Sequence, residues 1–429
     1  MGGSMSVRRD VFANYLGMIV TALGPMLALP WYLNALGTKQ WGLVGFISTI
    51  IAVLGMFDAG MGQALIREVA HEKANTSSTA TLVIGFERLY WGLSLIAGIA
   101  VAVLAKPIST NWLNLGDLPV KLGLVTIYGA ALLFTVQFPG VLYRSVLLGL
   151  QKHVQLNTLI TISGVLRHLG GVLVVTKWPF LEVLVCWQIF VAACDTLARA
   201  VLSWKVLGIK RSNIFFCWQE IAPTIKTAFK MSGAVLLGVL TVQLDKIILS
   251  RMVTIEQFGY YVIASSLALG ALQLVYPITQ VALPRIVELI NKPDLLHQFN
   301  IRLIAIFVML AISGAVIFVL FGDWLLFRWL RNQDVVSAVY LPLSILLAGT
   351  AMNAIYTVGY MNWVARGQVK IISMVNALAL LFSLSLIPYL VSVYGIVGAA
   401  AAWSIINLIG MIVSILYLIR RYECFSLNL

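Results

Sequence analysis

VFANYLGMIVTALGPMLALPWYLNALGTKQWGLVGFISTIIAVLGMFDAGMGQALIREVA, residues 11–70, decides the fold. An apolar run from Val11 to Leu36 meets Gly37-Thr38-Lys39-Gln40, and a second run starts at Trp41. The stretch closes with Phe57-Asp58-Ala59-Gly60 and then Leu65-Ile66-Arg67-Glu68. Each run exceeds the ~20 residues that a bilayer crossing needs. The stretch therefore reads as two membrane-crossing helices joined by a tight turn and ending in a charged rim.

The rest of the chain follows the same plan. Its 429 residues are 61% hydrophobic and 10% charged, with a mean hydropathy of +0.96. A soluble domain carries about 25% charged residues, so that class is excluded. Strand-type alternation is absent, which excludes a membrane barrel. The expected fold is an all-α polytopic membrane protein. Twelve spans are predicted, at 11–36, 41–65, 80–105, 121–143, 155–176, 181–203, 231–250, 257–283, 301–321, 337–361, 370–390 and 395–419. They form two six-helix lobes, 11–203 and 231–419, joined by a basic cytoplasmic linker over 204–230. Residues 1–10 and 420–429 are cytoplasmic ends, and Met1-Gly2-Gly3-Ser4 reads as a cloning remnant ahead of Met5.

The net charge of +13 does not require nucleic acid, because basic loops on one membrane face produce such an excess. Eighteen basic residues, among them Arg67, Lys73, Arg144, Lys210, Arg211, Arg285, Arg302, Arg366, Lys370, Arg420 and Arg421, fall on one side, and seven fall on the other. That asymmetry places both termini in the cytoplasm. Cys186, Cys194, Cys217 and Cys424 form no CxxC and have no histidine at ligand spacing, so neither a disulfide framework nor a metal or other cofactor is expected.

The second half repeats the first at an offset of 217. Gln40-Trp41-Gly42 meets Gln257-Phe258-Gly259, Ser48 meets Ser265, Tyr143 meets Tyr360 and Gln151 meets Gln368. One residue further on, Arg67 meets Arg285. Six spans return the chain to its starting side, so the repeat is parallel, related by a pseudo-twofold axis along the membrane normal. Two such lobes suit alternating access, and transport rather than catalysis.

Several motifs carry a family likeness. They are Asn14-Tyr15-Leu16-Gly17; Leu36-Gly37 before Trp41-Gly42; Phe57-Asp58-Ala59-Gly60-Met61-Gly62 ahead of Arg67; Tyr143-Arg144 before Leu150-Gln151-Lys152; Asp245-Lys246 before Phe258-Gly259-Tyr260-Tyr261; and Pro284-Arg285. Together they resemble the polysaccharide-transporter branch of the MOP flippase superfamily, most closely bacterial O-antigen flippases. The resemblance implies a V-shaped pair of lobes in the bacterial inner membrane. It also implies transfer of an undecaprenyl-pyrophosphate-linked oligosaccharide from the cytoplasmic to the periplasmic leaflet. The polyprenyl tail would stay in lipid between the lobes. Expected partners are this lipid-linked oligosaccharide, the phospholipid bilayer and the polysaccharide polymerase and assembly proteins, with the transporter itself a monomer.

Charges inside spans are costly and usually functional. Arg167, mid-span beside His168 and with no acid within four residues, is the sharpest candidate for a pyrophosphate ligand. The competing reading pairs it with Asp195 or Glu182. Arg88 can snorkel to the interface. Asp195 and Arg199, four apart, share a helix face and pair with each other. Asp245 and Lys246 project about 100° apart and should face different surroundings. Arg67 and Arg285 hold equivalent rims, as an entry funnel or as positive-inside charges. Arg167, Arg88, Arg199, Lys246, Arg67 and Arg285 are thus the candidate substrate ligands. Asp58, Asp245, Asp195, Pro25, Pro30 and Pro277 are the candidate coupling or gating residues, with Asp58 two turns inside span two and the prolines kinking spans one and eight.

Rival functions are an exporter of a capsule, exopolysaccharide or teichuronic-acid unit, a MATE-type exporter of organic cations, a membrane enzyme, and a scaffold of polysaccharide assembly. The prominent in-span cations disfavour an organic-cation substrate. No HExxH, GxSxG or P-loop pattern supports an enzyme.

Overall fold

The computed structural model describes residues 2–71, 76–209 and 218–426. Lys73, Lys210, Arg211 and Cys217 lie outside them, as do the side chains of Lys230 and Cys424. The described residues are almost wholly helical and contain no strand. Among the described residues, eight helices are long and apolar enough to cross a membrane, or nine when one bent pair counts as a single span. The chain divides into two units, Met1–Val239 and Leu240–Leu429.

In the first unit, α1 (Gly2–Leu54) carries both predicted spans of the quoted stretch, with the backbone leaving helical geometry at Gly37 (φ 75°, ψ 169°). Pro25 and Pro30 lie within its helical part, so the sharp break falls at the glycine and not at the prolines. The second span does not run on to residue 65 as expected. It passes into a 3-10 turn over Gly55–Asp58, then left-handed Ala59 and Gly60, before α2 (Met61–His71) resumes. The following elements are α3 (Thr76–Val103), the short α4 (Ala105–Pro107), α5 (Val120–Gln137), α6 (Pro139–Gly149), α7 (His153–Val165), α8 (Gly171–Lys177) and α9 (Leu181–Leu207). α2, α3, α5 and α6 enclose a core of Met61, Leu65, Phe86, Tyr90, Phe134, Phe138 and Leu142.

The next helix, α10 (Trp218–Met252), corrects the expected linker. Its first turns carry Ile221 and Ala228 into the core of the first unit, with Ile225 packed beside them. Burying these apolar side chains favours helix over an exposed basic loop there.

The second unit takes the rest of α10, then α11 (Ile255–Gln273), α12 (Tyr276–Leu289), α13 (Pro293–Leu330), α14 (Gln333–Ala365) and α15 (Val369–Ser426). The hydroxyl of Thr254 caps α11 by accepting from the Gln257 N–H at 3.3 Å. The expected outer loop over residues 322–336 shrinks to the turn at Arg331 and Asn332, because the Asn332 side chain caps α14 by accepting from Val335 N–H at 3.2 Å. α15 is broken at Gly395 (φ 58°, ψ −134°), the first residue of the second span predicted there. Val319 on α13 is 73% exposed, with Met309, Ile312 and Leu320 also outward. An apolar face of that extent suits lipid and not water.

The two halves repeat structural details as well as residues. α11 and α12 meet at a 43° bend, with 3-10-type bonds at Leu274 and Val275 and Pro277 in the first turn of α12. Adding 217 to Phe57, which lies in the break of the second span, gives Leu274. The ends of α6 and α14 also match. Gln151 N–H bonds Leu148 O and Lys152 N–H bonds Leu147 O, while Gly367 N–H bonds Val364 O and Gln368 N–H bonds Trp363 O. Both are Schellman ends with a left-handed residue, Gln151 (φ 57°) and Gly367 (φ 66°), separated by 216 positions.

Candidate functional site

Between α7 and α8 the helix widens into a π turn, Leu166–Gly170, which places Arg167 and His168. A π turn disturbs the regular bonding of its carbonyls, and buried carbonyls need donors. Side chains from other spans supply them. Trp187 Nε1 on α9 donates to Leu166 O at 2.9 Å, and the Tyr32 hydroxyl on α1 donates to His168 O at 3.1 Å, with Arg167 O at 3.4 Å. Small residues permit the approach. A Cβ on Gly24 would stand 2.7 Å from His168 Cδ2, and one on Gly170 would stand 2.5 Å from Trp187 Cζ2. The irregular turn is thus held by its neighbours on two sides.

The Arg167 side chain leads to three further elements. Its Nη1 lies 3.4 Å from Gln137 Oε1 at the end of α5. Asp195 and Arg199 on α9 are near enough for their charges to act on it, and Arg144 on α6 acts in turn on Arg199. Asp195 is engaged by Arg199 through two bonds, Nε to Oδ1 at 3.0 Å and Nη2 to Oδ2 at 2.7 Å, with both side chains mostly buried. That bidentate pair matches the expectation from their spacing. Among the described residues Arg167 makes no ion pair within 4.0 Å, so the competing reading of a direct pair with Asp195 or Glu182 is not the arrangement found. The cluster sets three guanidiniums against one carboxylate. Its geometry offers an oxyanion one guanidinium outright and a second through exchange of Arg199 from Asp195.

The other candidates lie elsewhere. Arg88 is exposed on α3, and Arg67 is exposed on α2. Arg285 is exposed on α12 and bonds Glu288 at 2.6 Å, three residues along. Asp58 ends the 3-10 turn, where its Oδ1 accepts from Gly62 N–H at 3.1 Å and from the Tyr90 hydroxyl. It anchors the restart of α2 and does not sit inside a continuous helix. Asp245 is buried, and its Oδ2 accepts from the Tyr261 hydroxyl at 2.5 Å. Lys246 Nζ lies 3.6 Å from Asp245 Oδ1, which corrects the expectation of separate surroundings. The lysine stem is long enough to swing back across the angle between neighbours.

Sequence reasoning passed over Gln137 and Tyr90, and it assigned no role to Glu87 or to Tyr261, which it met only within a family motif. Glu87 is 1% exposed, and its Oε1 accepts from the Tyr143 hydroxyl at 2.9 Å and from Trp204 Nε1 at 2.7 Å. The only signal was polar residues recurring inside apolar runs. Their partners stand 16 to 117 positions away, so no local spacing rule reaches them.

The described residues thus form a polytopic helical protein with a broken second span in each half and buried cations. The chain belongs to the polysaccharide biosynthesis protein family, whose profile matches residues 7–290. It is 23% identical over 418 residues to a Shigella flexneri protein described as "Putative O-antigen transporter", spanning 94% of this chain and 95% of that one. Among solved structures, it resembles the lipid II flippase MurJ in an inward closed conformation, with TM-score 0.75 and 15% identity over 98% of this chain and 90% of the other. It also resembles an inward-facing MATE family multidrug transporter of the MOP superfamily, with TM-score 0.73 and 12% identity over 97% and 99%. At such identities the two structural likenesses speak to the fold alone.

Proposed function

We propose that the protein is a flippase that moves an undecaprenyl-pyrophosphate-linked oligosaccharide, an O-antigen repeat unit, from the cytoplasmic to the periplasmic leaflet by alternating access. The observation that carries this reading is the cationic cluster of Arg167, Arg199 and Arg144 against the single Asp195. A pyrophosphate cannot cross hydrocarbon with its charge bare. Guanidiniums replace its hydration with charge-assisted bonds. The cation excess favours an anionic headgroup over the organic cations of a multidrug exporter. Family membership and the Shigella relative support a polysaccharide substrate and a bacterial inner membrane. The chain acts as a carrier without catalysis, has both termini in the cytoplasm and works as a monomer beside the polymerase and assembly proteins.

In this mechanism the headgroup binds Arg167 first. Arg199 then divides its bonds between Asp195 and the phosphate, so that Asp195 returns it when the substrate leaves. Arg67 and Arg88 serve the cytoplasmic approach on the first half, and Arg285 holds the equivalent rim of the second. Asp58 and Asp245, each held by a tyrosine, set the gating elements, and Pro277 sits at the bend of span eight. Pro25 and Pro30 give span one its freedom to flex.

The test is transbilayer movement of a fluorescent undecaprenyl-pyrophosphate oligosaccharide in proteoliposomes. Wild type should move it, and folded Arg167→Ala should lose about tenfold or more of the rate, as expected when a charge-assisted contact is removed. Full activity in folded Arg167→Ala would remove the residue from the site. Absence of movement by wild type under an imposed potential, with several glycans tried, would sink the flippase reading.

A further inference from the structure

A second cationic cluster belongs to the second unit, at the end of α14 that the charge asymmetry assigns to the cytoplasm. Arg366 closes α14, its N–H bonded to Asn362 O at 3.2 Å, and Gly367 turns the chain away. The Nε of Arg366 is buried, yet it has no hydrogen-bond acceptor among the described residues. One turn back, fully buried Trp363 also has an Nε1–H without an acceptor. Both residues flank Tyr417 on α15. The Trp363 ring meets the Tyr417 ring edge-on at 5.6 Å, and the Tyr417 hydroxyl donates to Gln368 Oε1 at 2.8 Å, just beyond Arg366.

Orphaned buried donors cost free energy unless an acceptor arrives. The charge around them says which kind. Arg421, one turn after Tyr417 on α15, repels Arg366 directly. No carboxylate of the described residues lies within 4.0 Å of Arg366. Among the described side chains, Asp294 is engaged by the Tyr422 hydroxyl at 3.4 Å and Glu288 by Arg285. Arg302, Lys370 and Arg420 are exposed on the same expected face. Basic pockets between spans at this surface attract anionic headgroups.

We infer that Trp363, Arg366, Tyr417 and Arg421 form a phosphate-binding corner at the membrane surface, which takes the phosphate of an anionic phospholipid and staples the ends of α14 and α15 together. Arg366 Nε and its terminal nitrogens meet the oxygens of the phosphodiester, a monoanion, which relieves the repulsion between Arg366 and Arg421. The site does not depend on the transported substrate.

The experiment uses the full chain, purified in detergent and delipidated, in native mass spectrometry with phosphatidylglycerol, with diacylglycerol of the same acyl chains, and with inorganic phosphate as competitor. Wild type should retain phosphatidylglycerol over diacylglycerol. Arg366→Gln should bind it about tenfold more weakly, as should Arg421→Gln, which serves if the first variant does not fold. Displacement by millimolar inorganic phosphate would assign the corner to free phosphate, and resistance to it would assign the lipid headgroup. Equal retention of phosphatidylglycerol and diacylglycerol, equal retention by wild type and a folded variant, or no retention of lipid together with no phosphate binding would overturn the inference.

Discussion

At the scale of single residues, the polar groups buried in the spans are answered by hydroxyls and indoles from distant helices. Tyr90 serves Asp58, Tyr261 serves Asp245, and Tyr143 with Trp204 serves Glu87. Removing such a donor leaves a carboxylate short of a bond at a cost of about 1.5–3 kcal/mol. Tyr261→Phe should therefore lower the thermal midpoint in detergent, while Tyr260→Phe, which removes an i,i+4 bond to Glu256, should lower it less. An unchanged midpoint in Tyr261→Phe would show that Asp245 draws its stability from Lys246. Between two inter-span segments, Lys39 Nζ donates to both oxygens of Asp117 at 2.8 Å, and that bond holds the Asp117 carboxyl below its ordinary value. A depressed folded value stabilises the protein above the ordinary carboxylate range, and this stability is lost as pH falls through the depressed value. With Asp117 exposed, the effect is small. Unfolding midpoints of Lys39→Gln and wild type should differ slightly near neutrality and converge at the acid end.

At the scale of elements, each half carries turns that hydropathy locates but does not shape. Gly37 and Gly395 adopt backbone angles that side chains resist, and each joins two spans within one continuous run. Gly37→Val and Gly395→Val should each cost about 1–3 kcal/mol, read as a fall in thermal midpoint. Nothing lies within 4 Å of a Cβ at either position, so strain alone is measured there. Gly359 differs, since a Cβ there would stand 2.8 Å from Ser414 Cβ, where its N–H bonds Ser414 Oγ at 3.0 Å. Gly359→Leu should separate α14 from α15 and reduce the yield of folded protein. The second break of each half uses different chemistry at corresponding places: Asp58 and Gly60 in one, Pro277 in the other. The repeat keeps the bend and not the residues that make it.

At the scale of the whole molecule, the proposed cargo sets the energetics. An inside-negative potential drives a dianionic headgroup outward, at about 2.3 kcal/mol per charge per 100 mV. Imposing that potential on proteoliposomes should accelerate flipping by wild type, and collapsing it should slow flipping toward the rate of lipid exchange. Independence from potential, with dependence on a proton or sodium gradient instead, would direct attention to Asp58 and Asp245 as coupling groups.

Much of this architecture is carried by the chain itself. Long apolar runs exclude water-soluble folds, the offset of 217 announces two related halves, and the i,i+4 spacing of Asp195 and Arg199 dictates their pairing. These are local or additive properties: transfer free energy sums along a span, and helical spacing decides which neighbours meet. The tertiary structure decided the rest. It carried the latter part of the expected linker into the core of the first unit, broke span two at Asp58, bent Lys246 back to Asp245, and gathered Arg167, Gln137 and the Asp195–Arg199 pair from three spans. Each outcome depends on which side chain of another helix comes within hydrogen-bond reach, and that distance exists only once the helices have packed.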